Sequence, residues 1–571
     1  MKFINYAKEH CNHCYKCIRV CSPKAISIFE TSAEIDQKRC ISCGECYVTC
    51  EQEALYIIDK VSEAKQAISS SKKVIVSLSP SFSGAFEIDE VGQMVTALKK
   101  LGVDRVEETS VGGDLVIEAY EKYLATTEKK NLIATTCPST NYLIEKYYPK
   151  LRENMIPIIS PMMSHGKLLK KEYGKDSHVV YIGPCLAKKA EAREMQNRGA
   201  VDTVITFVEL KEWLEEEGIE LQSLTSTSFD KEGSMKGSMI PYKINLESAG
   251  ADRFEKMLVS GVEKSKEILE CLLAGDLEGV FLEVASCERG CTNGTGMPKD
   301  DISYYIRRKR SKQYLEEKKV KEGKRRDPLN KLAPYELTKL IYDQSVEIPS
   351  YSREEVEGVL GSMGKNKKED EINCDACGYG TCRAHGESIL RGTSRVNMCL
   401  PFMRAKAESL KNVIFDHSPN AIFMVDFNYQ VKEFNPSSER IFQVASDQMK
   451  DQPISKVIAE DLFREVMETK VNTIGKKVEY PQYGVILIAN IIYLEDEGVL
   501  MAIMTDVTSA EKNKEELERV KGETIHAAQN VIDKQMRVAQ EIASLLGETT
   551  AETKVTLSKL KEIVLGEGGE R

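Results

Sequence analysis

The chain has 571 residues, a formal net charge of −10 and seventeen cysteines, a length that exceeds one hydrophobic core and implies about three to five domains. The acidic balance argues against nucleic acid as a main partner, and the longest apolar run, around Gly484 to Leu494, is too short to cross a bilayer. The opening MKFINYAKEHC shows no apolar leader, so a cytoplasmic protein without membrane contact is expected, and in that compartment reduced cysteines read as ligands rather than disulfides.

The first fifty residues carry one spacing twice, Cys11-x2-Cys14-x2-Cys17-x3-Cys21 and Cys40-x2-Cys43-x2-Cys46-x3-Cys50. Zinc held by four thiolates also uses Cys-x2-Cys pairs, but it has no need of a third cysteine two residues further on. The spacing resembles that of a bacterial ferredoxin. The resemblance implies two [4Fe–4S] clusters, each held by three cysteines of one run and the fourth of the other, in a small α+β domain over 1–60 that moves electrons.

Residues 61–320 read as an α/β domain with parallel sheets. KKVIVSLSP, KNLIATTCP, SHVVYIGPC and GVFLEVASC are short β-rich runs separated by helical patterns such as EVGQMVTALKKLG. Three of these strands end at a cysteine, and in such sheets ligands gather beyond the carboxyl ends of strands. Cys137, Cys185 and the Cys287/Cys291 pair are thus placed to converge, whereas Cys271, in ILECLLAG, reads as a buried structural thiol.

Three strings, Thr135-Thr136-Cys137-Pro138, Gly183-Pro184-Cys185-Leu186-Ala187-Lys188-Lys189 and Glu283 through Gly296 with Cys287 and Cys291, resemble in order and spacing the three signature motifs of the [FeFe]-hydrogenases. The resemblance implies that Cys137, Cys185, Cys287 and Cys291 ligate the cubane of an H-cluster, a [4Fe–4S] unit joined to a diiron subsite with CO, CN⁻ and a bridging dithiolate. Cys291 would bridge to that subsite. Lys188 and Ser81, the latter in the Ser79-Pro80-Ser81 loop, would donate to cyanides, and an ammonium suits an anionic acceptor. Gly290, Gly294 and Gly296 would let backbone approach a bulky group.

The match also breaks. Catalytic members of the family carry a proton-relaying cysteine where this chain has Thr136, and a thiol with a pKa near about 8.5 exchanges protons at neutral pH far better than a hydroxyl. Methionines of the family are replaced by Gly183 and Ala285, and a polar amide after Pro161 by Met162. Glu118 and Glu121 are the glutamates on offer for a proton path. A damaged proton route and slow turnover are expected.

Beyond Met297 the chain is strongly charged, with IRRKRSKQYLEEKKVKEGKRRDP at its centre. The interspersed acids predict a solvated helix and linker, placed at 321–365 after the α/β domain. Over 366–405, Cys374-x2-Cys377-x4-Cys382-x16-Cys399 resembles a four-cysteine module of multidomain iron–sulfur proteins. It implies a third further [4Fe–4S] cluster, with zinc as the competing metal, and either an electron outlet or a structural knot.

Residues 406–510 read as strand, turn, strand, helices and two long β-rich runs joined at Glu495 to Gly498. They resemble an α+β PAS domain, with Asn435 at the turn into its first helix and Asp506-Val507-Thr508 at its exit. No cysteine offers flavin adduct chemistry, and His417 alone is a poor haem ligand, so a dimerisation and relay module is expected. The tail, 511–571, is helical, with Ala528, Val531, Val538, Ile542 and Leu545 at coiled-coil spacings; packing of this face on the rest of the chain is the alternative. His526 lacks the acidic neighbour of a phospho-accepting histidine.

The architecture expected is therefore an α/β multidomain chain. By resemblance it is an H2-sensing [FeFe]-hydrogenase that oxidises H2 or reduces protons slowly, passes electrons through iron–sulfur clusters and signals through the PAS domain. H2, protons, a redox partner such as ferredoxin, maturation enzymes and a signalling protein acting in trans are the partners implied, with a homodimer. Two other readings stand beside it: a metabolic, ferredoxin-linked hydrogenase, and a non-catalytic iron–sulfur redox sensor.

Overall fold

The computed structural model describes residues 3–28, 33–70, 72–247, 250–300, 302–322, 332–546, 555–556 and 558–559. They divide into two units, Met1–Phe402 and Met403–Arg571. Among the described residues no helix is long and apolar enough to cross a membrane.

In the first unit the repeated cysteine spacing becomes a repeated backbone. Ile4–Tyr6 pairs antiparallel with Leu55–Ile57, and Ile26–Ile28 with Ala33–Ile35. Each cysteine run enters a short helix, Lys16–Val20 or Glu45–Val48. Two and four residues after the first cysteine of each run the chain is left-handed, at His13 (φ 57°) and Tyr15 (58°), then at Ser42 (62°) and Gly44 (82°). These turns curl the loop so that successive thiols face one centre. Gly44 has a second reason to lack a side chain, since a Cβ there would sit 2.6 Å from Thr295 Oγ1.

The expected α/β region is two parallel sheets rather than one. Arg105–Glu108, Val74–Leu78, His178–Gly183 and Thr203–Thr206 form a four-stranded sheet in that order. Glu255–Ser260, Val280–Ala285 and Leu132–Ile133 form a three-stranded one. The near-continuous Val/Ile/Leu runs fit strands covered on both faces, and Val74, Ile75, Val76 and Leu78 are essentially inaccessible. Cys185 follows a strand of the larger sheet; Cys137 and Cys287/Cys291 follow neighbouring strands of the smaller. Cys271, expected buried, is only half-buried on the helix Val262–Ala274.

The charged stretch after Met297 departs from its expectation. The helix Tyr304–Glu322 is not solvated all round. Arg307, Ser311, Tyr314 and Lys318 are buried, and Tyr314 Oη and Lys318 Nζ both donate to the fully buried Glu108 carboxylate. Ser110 Oγ donates to the same group. Charge composition alone cannot separate a cation facing water from one facing a buried carboxylate on a sequence-distant strand. Residues 323–331 of the charged stretch lie outside the described residues. Further on, Leu332 and Leu337 join the apolar cluster of Ile159, Met162 and Leu168, and Val346 N–H donates to the Lys146 carbonyl at 3.1 Å. The expected linker is thus packed on the α/β region.

The second unit holds a five-stranded antiparallel sheet in the order Val431–Phe434, Ala421–Asp426, Val499–Asp506, Val485–Leu494, Thr473–Tyr480. Asn435 caps the helix Pro436–Phe442: its Oδ1 accepts from Ser438 N at 2.9 Å, while Nδ2 donates to the carbonyls of Phe415 and Asn420 at 3.0 and 2.9 Å. A fully buried amide is tolerable because its donors and acceptor are all used. The tail forms one helix, Thr508–Leu546, with Val531, Val538 and Ile542 exposed. Leu545 lies on that helix, and most of 547–571 is outside the described residues.

Lys318→Ala would leave Glu108 buried without its cation. We expect about 3–5 kcal/mol of destabilisation, read as a lowered denaturant midpoint with unchanged slope; a loss below about 1 kcal/mol would show that the ion pair does not hold the helix.

Candidate metal centre

The two sheets bring four thiols to the wall of one cavity of about 360 Å³. Cys137, Cys185, Cys287 and Cys291 line it, with Ser79, Pro80, Thr136, Met162, Tyr181, Lys188, Glu283 and Ala285. Helices begin beside two of the thiols. Pro138 opens the helix Pro138–Tyr147 directly after Cys137, and Ala187–Glu191 starts two residues after Cys185. Pro at the first helical position costs no hydrogen bond, since that N–H has no partner within the helix.

Three of these thiols are held where burial opposes ionisation. Burial, then the neighbouring Cys137, pushes Cys185 up to about 11. Burial and crowding by Cys185 and Cys137 also drive Cys287 and Cys291 well up. Four thiols around one cavity are a donor set whose thiolates call for a cationic core. Four thiols so placed fit an iron–sulfur group.

Lys188 is buried on the cavity wall. Its ammonium donates to Glu191 Oε2 at 2.7 Å and to the Thr136 carbonyl at 3.4 Å, and Ser160 Oγ shares that Glu191 oxygen at 2.9 Å. Thr136 itself lines the cavity. The loop from the larger sheet places Ser79 and Pro80 on the wall, whereas Ser81 does not line it. Ser81 is fully buried behind Ser79, their hydroxyls 2.9 Å apart. The family resemblance implies Ser81 as the donor; here Ser81 precedes the short helix Phe82–Ala85 and Ser79 is the serine of the loop on the wall.

The three glycines of the last string act differently from the expectation. A Cβ on Gly294 would meet the Pro184 carbonyl oxygen at 2.4 Å, and one on Gly296 the Pro184 carbonyl carbon at 3.0 Å, while Gly290 adopts φ +80°. The missing side chains of Gly294 and Gly296 let the Cys291 loop lie against the Cys185 loop, while Gly290 lines the cavity with only the Pro241 carbonyl near, at 3.3 Å. Gly183 is explained by Tyr181, whose hydroxyl would be 2.4 Å from an added Cβ, so an aromatic ring occupies the room that a longer side chain at 183 would need.

Glu118 and Glu121 do not reach the cavity. Glu118 pairs with Lys122, and Glu121 accepts from Glu247 N at 3.0 Å. Between them Tyr120 is the inward residue, its hydroxyl accepting from Thr135 N at 2.8 Å. The acid on the cavity wall is Glu283, which burial pushes up to about 7 although Ile244 N–H bonds its carboxylate at 2.8 Å. It opens the third cysteine string, and nothing in the spacing of that string marks it apart from the strand Val280–Ala285 on which it lies.

The other cysteines sort into three sets. The thiols that raise Cys17 beyond the effect of burial are Cys50, Cys11 and Cys14. Those acting on Cys43 are Cys21 and Cys40, and those acting on Cys46 begin with Cys43, Cys21 and Cys40. Each run's fourth cysteine thus stands with the other run's first three. Cys374, Cys377, Cys382 and Cys399 line one small pocket, shaped by left-handed Asn373, Asp375, Gly378 and Gly380 and by Asn373 Oδ1, which accepts from Cys382 N at 2.8 Å.

Residues 72–243 match the family model of the iron-only hydrogenase large subunit, C-terminal domain, and residues 370–401 match a model of a small Fe–S cluster domain. Iron hydrogenase 1 of Clostridium pasteurianum is 26% identical over 302 residues, 42% of this chain and 52% of that protein. The cytosolic Fe–S cluster assembly factor narfl of Xenopus tropicalis is 24% identical, over 43% of this chain and 66% of its own. Among solved structures, the [FeFe]-hydrogenase HydA1 of Chlamydomonas reinhardtii aligns at a TM-score of 0.41 and 18% identity, covering 51% of this chain and 100% of that one. This chain spans about half the length of the clostridial enzyme. It carries an [FeFe]-hydrogenase-like domain and binds iron–sulfur clusters.

Gly294→Ala should separate the two cysteine loops. We expect iron to be lost from the Cys137/Cys185/Cys287/Cys291 set while the N-terminal sets keep theirs, measured as iron per chain with Mössbauer assignment; unchanged iron at the cavity would contradict this use of Gly294.

Proposed function

We propose that the protein is an H2-sensing [FeFe]-hydrogenase of low turnover, with an H-cluster at the cavity and three further [4Fe–4S] clusters on the other twelve cysteines. When bound, the H-cluster supplies heterolytic H2 splitting. The observation that carries the reading is the convergence of four thiols from two sheets on a cavity that extends beyond them and holds a buried ammonium. Cys137, Cys185, Cys287 and Cys291 would hold the cubane. Lys188, oriented by Glu191, offers donors to an anionic ligand. Met162, Tyr181 and Ala285 exclude water from the wall without offering protons at neutral pH.

Thr136 sets the rate. Its hydroxyl can pass a proton along hydrogen bonds but cannot hold and release one near pH 7. Glu283, protonated up to about pH 7, is the group on the wall whose carboxyl keeps a proton there. A slow centre coupled to several clusters suits a signal better than a metabolic current. The five-stranded unit would be a PAS relay, the exposed apolar residues of its tail helix would meet a second copy, and a partner would read the change in trans.

A second reading is a non-catalytic iron–sulfur protein that never receives the diiron subsite. It is favoured by Thr136, by the ring of Tyr181 beside Gly183, and by similarity to an Fe–S cluster assembly factor. Infrared spectra of matured protein separate the two. We expect CO and CN⁻ bands that shift under H2, and a rise of about 10²-fold in H2 evolution for Thr136→Cys. No such bands would leave the second reading, and an unchanged rate would remove Thr136 from the explanation of slow turnover.

A further inference from the structure

The four-cysteine module over 374–399 is built against the N-terminal domain, at the loop of one particular cysteine. Tyr379 and Met398 are buried in one apolar cluster with Ile18, Cys21, Ala25 and Ile26, and Cys17, Cys40, Cys46 and Cys377 pack on it. Arg19 Nη1 donates to the Ala376 carbonyl at 3.3 Å. Gly378, at φ +81°, lies so close that a Cβ would stand 2.8 Å from Arg19 Cα and 3.1 Å from Arg19 N. Lys24 Nζ, which donates to the carbonyls of Ile18 and Arg19, sits 5.9 Å from the centre of the Tyr379 ring. Tyr379 also stacks on His385 at 5.2 Å and 19°. The ring is therefore buried where the module meets the loop of Cys21.

Cys21 belongs with Cys40, Cys43 and Cys46, and this same set also touches the cavity domain. Thr295 Oγ1, four residues after Cys291, donates to the Cys43 carbonyl at 2.9 Å, and Gly44 packs on Thr295 and Leu186, the residue after Cys185. The Cys11/Cys14/Cys17/Cys50 set has Cys14 exposed instead. The Cys21/Cys40/Cys43/Cys46 set thus has a hydrogen bond to the Cys291 loop on one side and Cys21 buried beside Tyr379 on the other, while Cys17 of the neighbouring set packs on the edge of the Tyr379 cluster and, with Cys50, of the Leu186 cluster.

We propose that the Cys21/Cys40/Cys43/Cys46 cluster is a branch point, and that Tyr379 and Gly378 seat the 374–399 cluster as its direct electron acceptor. With clusters bound, Cys21, Cys40, Cys43 and Cys46 would hold the donor of one electron, passing from the 1+ to the 2+ state, and Cys374, Cys377, Cys382 and Cys399 would hold the acceptor, passing from 2+ to 1+. No proton moves and no bond is made or broken. The Cys11/Cys14/Cys17/Cys50 cluster, with Cys14 exposed, would serve exchange with a soluble redox partner. The oxidation state of the seated cluster then follows the cavity domain through one intermediate.

This inference rests on the cluster assignment of the proposed function and not on its H2 chemistry, so dithionite supplies the electrons in the test. The full chain, reconstituted with iron and sulfide, is reduced and its EPR spectrum compared with that of a Cys374→Ser/Cys382→Ser variant. We expect the full chain to show a broadened signal from magnetic coupling between the seated and branch-point clusters that the variant lacks. Gly378→Val, with iron per chain unchanged, should lose more than half of that broadened component. Where Gly378→Val also loses iron, Tyr379→Leu, which leaves the loop backbone alone, should give the same loss of coupling.

A full-chain spectrum equal to the variant's plus one uncoupled signal would overturn the proposal. So would coupling that survives both substitutions, or zinc in the 374–399 site. Absence of CO and CN⁻ bands would sink the H2 chemistry while leaving this coupling in place, so the two failures are distinguishable.

Discussion

Everything in the first unit depends on keeping thiols buried next to other thiols. A buried thiolate is costly, and several together repel one another; here burial, with Cys40 nearby, raises Cys21 to about 11, and burial and neighbouring thiols raise Cys43 and Cys46 well above the usual range. Such sets persist in a folded chain when a cationic group neutralises them, so their folding is tied to cluster binding. The fold meets this demand in two ways. In the N-terminal domain, left-handed turns curl a contiguous loop. Around the cavity, two parallel sheets aim the carboxyl ends of their strands at one place, and glycines let the carrying loops touch.

The contiguous sites were legible in the sequence because their geometry is local. A repeated cysteine spacing produced repeated left-handed turns, and strand-then-cysteine patterns correctly placed Cys137, Cys185, Cys287 and Cys291 on one wall. What was not legible is what long-range packing decides. Whether Ser79 or Ser81 faces the cavity depends on where a four-residue helix starts. The glycines after Cys287 look like room for a cofactor, yet Gly294 and Gly296 make room for Pro184. The charged helix reads as solvated until Glu108, some two hundred residues earlier, is seen to face Lys318 and Tyr314.

The same distinction explains the third cysteine set. Its ligand spacing was readable and its seat was not, because Tyr379, Arg19 and Cys21 share no pattern in the sequence. In the second unit Asn435 was readable as the residue opening a helix, since capping is local. The apolar residues at 531, 538 and 542 were readable as a seam, and they stand exposed on the tail helix. Under the proposed function, Thr136 beside the four cavity thiols would slow turnover and suit a signal better than a metabolic current.

The central claim is that H2 at the cavity changes the oxidation state of the 374–399 cluster. The most direct measurement exposes matured, oxidised full-length protein to H2 with no other reductant and follows the clusters by freeze-quench Mössbauer and EPR spectroscopy. The account predicts that the 374–399 cluster becomes reduced, and that this reduction disappears in a Cys382→Ser variant. Clusters that stay oxidised under H2 yet reduce with dithionite would contradict it.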